Sequence, residues 1–344
     1  MVSKVKIYKE NKIRLTSCRR LQVFMATHLG SNSSKMFPRL IAFAMFVAIA
    51  VFLYVSIFNV YPDAPKVNPF VVVANTTAIE KTKMNADLRN ALSEEREAYL
   101  LQKHKDYLSH TPFPHVVIDD LFPIDIVRQA ALEIPDHPEL DGRGCVPGSN
   151  ACFMTDSTQK RKNAYVNDLY FGPATFALFS FMKSSTFISF LEKLTGIKDI
   201  IPDPHYRGSG VHQTLAGGHL DVHADFNRYE RYGLHRRVNV FIYLNDNWED
   251  SYGGHLELWS RDMNTCGAKI RPSMGRFVVF SSTDFSYHGH PKPMTCPEDR
   301  SRRSIALYYY TQSRPSEECI NNDCFHKHTT LFQTLKKDCD AKPM

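Results

Sequence analysis

From Val211 to Tyr310 the chain is written in short β-branched and aromatic runs, and this texture restricts the fold more than any other feature. Val238 to Leu244 and Ser304 to Tyr310 are strand-like throughout, Gly254 to Trp259 alternates apolar with polar, and Arg276 to Phe280 reads as a buried strand. Turn signals at Asn245-Asp246-Asn247, Tyr252-Gly253-Gly254 and Pro272 to Gly275 separate them. Strands this short and this closely spaced predict a mostly-β, α+β molecule built as a sandwich or jelly roll. Upstream, Phe113 to Asp119 predicts one more strand and Pro123 to Glu133 a helix. Thr175 to Leu194, with Leu178, Phe181, Phe187, Leu191 and Leu194 at helical spacing, predicts one or two helices covering the sheet. Gly142 to Thr158 predicts an irregular loop.

The first third of the chain has a different character. Leu40 to Phe58 is nineteen residues without a charge or a proline, long enough at about 1.5 Å per residue to cross a hydrocarbon core of roughly 30 Å. Residues 1–39 carry nine Lys and Arg against Glu10 alone, a net +8, which leaves −2 of the formal +6 for everything after Arg39. The basic flank orients the run as a signal-anchor: tail 1–39 in the cytoplasm, span 40–58, and the rest of a single-pass type II protein in the lumen of the endoplasmic reticulum or Golgi. A cleaved signal peptide fits less well, because the basic region is long and the apolar run exceeds the usual 7–15 residues. The slightly acidic remainder gives no electrostatic case for nucleic acid, and 43% hydrophobic residues with 12% aromatics exclude a disordered chain.

Residues 59–111 then read as a lumenal stem, with Ile79 to Leu108 as a polar helix that either holds the domain off the membrane or packs on it. Asn75-Thr76-Thr77 is a glycosylation sequon on the expected side; Asn32-Ser33-Ser34 falls on the other. A catalytic domain is expected over 112–315 and a cysteine-containing extension over 316–344. Seven of the eight cysteines follow the apolar run, where an oxidising lumen permits disulfides. The close spacings of Cys145 with Cys152 and Cys319 with Cys324 suggest pairs, one thiol is left over, and the extension is expected to be tied by disulfides.

Within the strand series lie His219-Leu220-Asp221, His223-Ala224-Asp225, His288 and His290. Two imidazoles and one carboxylate are the set that holds a non-haem Fe(II) on one face and leaves the opposite positions open. Residues 219, 221, 223 and 225 fall on one face of a strand, so periodicity alone does not choose between the two His-x-Asp pairs, nor between His288 and His290.

Several segments resemble the 2-oxoglutarate/Fe(II)-dependent dioxygenase superfamily, in its prolyl 4-hydroxylase-like branch. They are Ile201 to Gln213, Gly218 to Asn227, Arg236 to Asn245, Gly253 to Trp259 and Arg302 to Tyr310. The resemblance covers roughly residues 112–315. It implies a double-stranded β-helix, with iron held by His223, Asp225 and His288, the last followed by Gly289. It implies that Arg302 grips the distal carboxylate of 2-oxoglutarate, a task suited to a planar guanidinium, with Arg303 facing away, Tyr243 assisting, and Gln213 standing where relatives often place a tyrosine. No catalytic residue is expected beyond the metal centre. The implied cofactors are Fe(II), 2-oxoglutarate as cosubstrate and O₂, with ascorbate as a helper. The expected activity is hydroxylation of an unactivated C–H bond with release of succinate and CO₂, on peptidyl proline in secretory-pathway proteins. The alternatives are a small-metabolite hydroxylase or oxidative cyclase, and an inactive binding module.

Overall fold

The computed structural model describes residues 78–135 and 151–344. The expected tail, the apolar span, both sequons, Cys145 and the side chain of Cys152 lie outside the described residues. Among the described residues no single helix is long and apolar enough to cross a membrane.

The described chain begins with three short helices, α1 (Ala78–Asn90), α2 (Glu94–Leu101) and α3 (His104–Ser109), where one polar helix over Ile79 to Leu108 was expected. Their few apolar residues, Leu88, Leu92, Leu100 and Tyr107, are buried in the main core. The second half of the predicted stem is thus packed on the domain, and no structural break falls at residue 112. So few apolar positions in a charged segment read as a solvated helix; their burial depends on partners far away in sequence.

After β1 (His115–Ile118) and α4 (Ile124–Leu132) come β2 (Ala151–Met154) and β3 (Gln159–Tyr165), then α5 (Pro173–Met182) and α6 (Ser185–Thr195). Strand β2 occupies part of the segment expected to be irregular. The remaining strands are β4 (Ile201–Pro202), β5 (Gly210–Ala224), β6 (Arg228–Tyr229), β7 (Leu234–Tyr243), β8 (Leu256–Trp259), β9 (Cys266–Ile270), β10 (Phe277–Ser281), β11 (Tyr287–His290), β12 (Ser301–Thr311) and β13 (Leu331–Phe332). They form one curled, mostly-β sheet of the jelly-roll kind. Its main path runs β1-β10-β7-β12-β5-β11-β8-β9, and β3 and β13 also pair with β5.

Alternation along the central strands sorts the residues into two layers. Val238, Val240 and Ile242 of β7, Phe277 and Val279 of β10, and Ile305, Leu307 and Tyr309 of β12 face the helices α4 to α6 and make the main core. Each such aliphatic side chain contributes about 1.5–3 kcal/mol on burial. The intervening residues, among them Phe241, Tyr243, Arg302, Ser304 and Tyr308, line a cavity on the other face.

Strand β5 carries the curl. Its first half pairs with β12 and its second half with β11. Between the halves Gly217 adopts φ +71°, and a Cβ on Gly218 would stand 2.6 Å from the Lys160 carbonyl oxygen. Only glycine permits that approach.

The C-terminal extension returns to the sheet. Cys339 is disulfide-bonded to Cys266 of β9, and Cys319 to Cys324. Cys296 is buried and carries a free thiol.

Candidate active site

His288 on β11 is paired directly with His223 on β5, and their ring centroids are 4.6 Å apart. The strands can approach because residue 289 is glycine: a Cβ there would lie 2.8 Å from the carbonyl oxygens of Leu220 and Asp221. Asp225, one residue beyond β5, completes a group whose donor atoms all lie within 4.8 Å of one another. Nε2 of His223 is 3.5 Å from Asp225 Oδ1, and Nε2 of His288 is 3.5 Å from Asp225 Oδ2.

The hydrogen bonds around this triangle prepare it for a cation. His223 Nδ1 lies 2.8 Å from the Asp221 carbonyl oxygen and His288 Nδ1 lies 2.9 Å from that of Ser286. A carbonyl only accepts, so each Nδ1 holds its proton and each Nε2 presents a lone pair toward the carboxylate. Asp225 Oδ2 accepts from Asn239 Nδ2 at 2.7 Å and meets Arg236 Nη2 at 2.9 Å. Oδ1 receives neither donor. Donor atoms sharing one ion at about 2.1 Å and near right angles stand roughly 3 Å apart, so two imidazole nitrogens and Oδ1 fit one Fe(II) after a small contraction.

Burial alone would raise the Asp225 carboxyl, but Arg236 and the two histidines hold it well below the usual carboxylate range. Burial depresses His288 to about 4, with Asp225 opposing. Asp225 and His288 are therefore in their ligating forms at neutral pH.

The triangle opens onto a cavity of about 350 Å³. Its wall includes Arg302, whose Nη2 donates to Tyr243 Oη at 3.1 Å and whose Nε donates to the Gly254 carbonyl at 2.6 Å. No described carboxylate pairs with Arg302, so one face of a buried guanidinium is left to an anion from outside the chain. His290 also lines the cavity, and its buried Nδ1 has no partner among the described residues. Phe226, Phe241, Leu256 and Tyr308 supply apolar wall. From the C-terminal extension, the Phe332 ring of β13 lies tilted against the His223 ring with centroids 5.4 Å apart, and Thr330 also lines the cavity. A roomier hollow of about 740 Å³, between α6 and the end of β12, is lined by none of the metal-site residues.

The structure thus brings His223, Asp225, His288, Arg302 and Tyr243 to one cavity and leaves out Gln213. The Gln213 amide donates to Pro135 O at 2.9 Å and Ser301 Oγ at 3.0 Å, on the opposite face of β5. Its neighbour His212 lines the cavity instead, a consequence of strand alternation once the register is fixed. Arg303 likewise turns outward, to Ser301 Oγ and the Ala131 carbonyl. His219 and Asp221 form a separate, more open pair at 3.7 Å. Sequence reasoning missed Arg236, Asn239, Lys162 and Phe332. Alternation back from Tyr243 through Phe241 reaches Asn239. Lys162 sits in Gln-Lys-Arg-Lys-Asn-Ala-Tyr, which carries no strand signal.

Residues 209–310 match the 2OG-Fe(II) oxygenase superfamily. No curated protein sequence matches the chain. Among solved structures, a prolyl-4-hydroxylase from Pseudomonas putida is similar over 61% of this chain and 98% of its own, at 19% identity and TM-score 0.41. A prolyl hydroxylase from Trichoplax adhaerens, solved with a hypoxia inducible factor oxygen degradation domain peptide, covers 67% and 95% at 18% identity and TM-score 0.43. HygX from Streptomyces hygroscopicus, with nickel and 2-oxoglutarate bound, covers 64% and 90% at 11% identity and TM-score 0.38.

Proposed function

We propose that this chain, which carries a 2OG-Fe(II) oxygenase domain, hydroxylates an unactivated C–H bond of peptidyl proline in secretory-pathway proteins. One observation carries the chemistry: two imidazoles and a carboxylate open onto the same cavity as a buried Arg302 that has no carboxylate partner among the described residues. When bound, Fe(II) with 2-oxoglutarate and O₂ supplies the oxidising power, and succinate and CO₂ are released.

The chain's own residues position and exclude. His223 and His288 present Nε2 lone pairs, each fixed in its tautomer by a backbone carbonyl. Asn239 and Arg236 hold one oxygen of Asp225 and so aim the other. Arg302, with Tyr243 hydrogen-bonded to it, would hold the distal carboxylate of a dicarboxylate cosubstrate. Phe241, Leu256, Tyr308 and Phe332 keep water from the reacting atoms.

The apolar run, its basic flank and the lumenal sequon support a type II, single-pass, glycosylated enzyme of the endoplasmic reticulum or Golgi, with ascorbate sustaining turnover. A second reading is favoured by the modest cavity and by Phe332 on its wall: a free amino acid or small metabolite, hydroxylated or cyclised. The full-length chain with Fe(II), ascorbate and 2-oxoglutarate is incubated with proline-rich peptides and, separately, with a metabolite pool, and products are weighed for one added oxygen. Gain on peptide supports the first reading and gain on a metabolite the second. Absence of iron retention and of succinate formation would leave only a binding module.

A further inference from the structure

We propose that Lys162 is a second cationic anchor for the distal carboxylate of 2-oxoglutarate, acting across the cavity from Arg302. This rests on the reading of the site as a 2-oxoglutarate oxygenase.

Strand register is the first observation. Thr214 of β5 is paired with Arg302 of β12 on one side and with Lys162 of β3 on the other. Directly paired residues project from the same face of a sheet, and strands lie about 4.8 Å apart. The Arg302 and Lys162 backbones therefore stand roughly 10 Å apart in one transverse row, a gap that two long side chains and one carboxylate close. Both residues line the same cavity.

Charge is the second. Lys162 has no hydrogen bond and no ion pair with any described residue, and no described carboxylate pairs with Arg302. Arg236, which also lines the cavity, is already committed to Asp225. Two cations facing one cavity without an anion between them repel, and a carboxylate with two oxygens relieves both at once. Burial, then Arg302, depress the Lys162 amine to about 8, and a bound anion would restore its charge.

The third observation is what fails to serve. Gln213, the residue next to this row, spends its amide on Pro135 and Ser301 on the far face. Lys162 fills the lateral contact from the neighbouring strand.

The test is calorimetric titration of the full-length chain, loaded with Fe(II) under anaerobic conditions, with 2-oxoglutarate and with 2-oxopentanoate, which lacks the distal carboxylate. Lys162→Met is expected to weaken 2-oxoglutarate binding roughly 10- to 100-fold, the worth of one charge-assisted hydrogen bond. It should leave 2-oxopentanoate and Fe(II) binding unchanged. Lys162→Arg keeps the cation and should keep most of the affinity, while retained 2-oxopentanoate and Fe(II) binding by Lys162→Met shows that the variant is folded. Unchanged 2-oxoglutarate affinity in Lys162→Met overturns the proposal, as does equal weakening of both ligands. If the parent itself binds no 2-oxoglutarate, the underlying reading fails instead.

Discussion

Replacing Arg236 by methionine separates what the protein supplies to Asp225 from what a metal supplies. Arg236 is almost wholly buried and lies 2.9 Å from Asp225 Oδ2. Its guanidinium also stacks 3.3 Å from the Tyr308 ring centroid and donates to Asn239. Methionine keeps much of the apolar stem contact and deletes the charge. Removing one partner of a buried pair costs about 3–5 kcal/mol, because the other charge stays behind uncompensated. Asn239 still donates to Asp225, and the carboxyl can take up a proton, so the lower end of that range is expected for the metal-free protein. With a divalent ion on Oδ1 the carboxylate is compensated again, and the deficit should shrink to about 1 kcal/mol, the lost hydrogen bond and stacking. Chemical denaturation followed by the fluorescence of the buried Trp248 and Trp259, with and without Mn(II) under nitrogen, measures both numbers. A metal-free deficit below about 1 kcal/mol, or one that Mn(II) leaves unchanged, would refute the argument.

His223→Ala and Asp225→Ala should abolish stoichiometric Fe(II) retention by elemental analysis, whereas His219→Ala should retain the ion; loss in the last variant would move the site to the other His-x-Asp pair. His328 lies 3.0 Å from Asp284 Oδ1; burial opposes its charge, but Asp284 prevails and raises its pKa above 6.5. A raised histidine stabilises fully below its unfolded value and loses that contribution as pH climbs through its folded value. Hydrogen exchange of residues 326–335, corrected for intrinsic rate, should therefore be faster at pH 8 than at pH 6, and His328→Gln should erase the difference. Cys266→Ala with Cys339→Ala opens a loop of sequence separation 73, worth at most roughly 4 kcal/mol by chain entropy. Denaturation without reductant should show that loss in the double variant relative to the parent, and reductant, which also opens Cys319–Cys324, should bring the two proteins to the same stability.

The β-rich half was legible because its strands announce themselves twice, in β-branched composition and in period-2 alternation. Val238 to Tyr243 emerged within β7, with Phe241 and Tyr243 lining the cavity and Asn239 bonded to Asp225. The choice of His223 and Asp225 over His219 and Asp221 came from family likeness, since all four share one strand parity. Gln213 was misplaced because counting along a strand assigns a neighbourhood, while the face depends on register, set here by pairing with β3 and β12. β3 and β13 were invisible: neither Gln159 to Tyr165 nor Leu331-Phe332 carries enough apolar signal to stand out, and both become strands because β5 offers them an edge. The stem segment divided into three helices for a related reason, since Leu88, Leu92, Leu100 and Tyr107 are buried in a core made with parts of the chain far away in sequence, Tyr107 reaching Ser281 of β10.

Strand β13 has a bearing on biosynthesis. Leu331 and Phe332 add to β5 at Ala224 and His223, and Leu335, Cys339 and Ala341 bury with Val222 and Trp259. A growing polypeptide emerges from the ribosome with His223 long before Phe332, so the iron ligand waits more than a hundred residues for its last wall. Until then a ferrous ion would meet an open, water-filled bowl. Thr330 and Phe332 are thus the last residues of the cavity wall to be made, after every other residue that lines it.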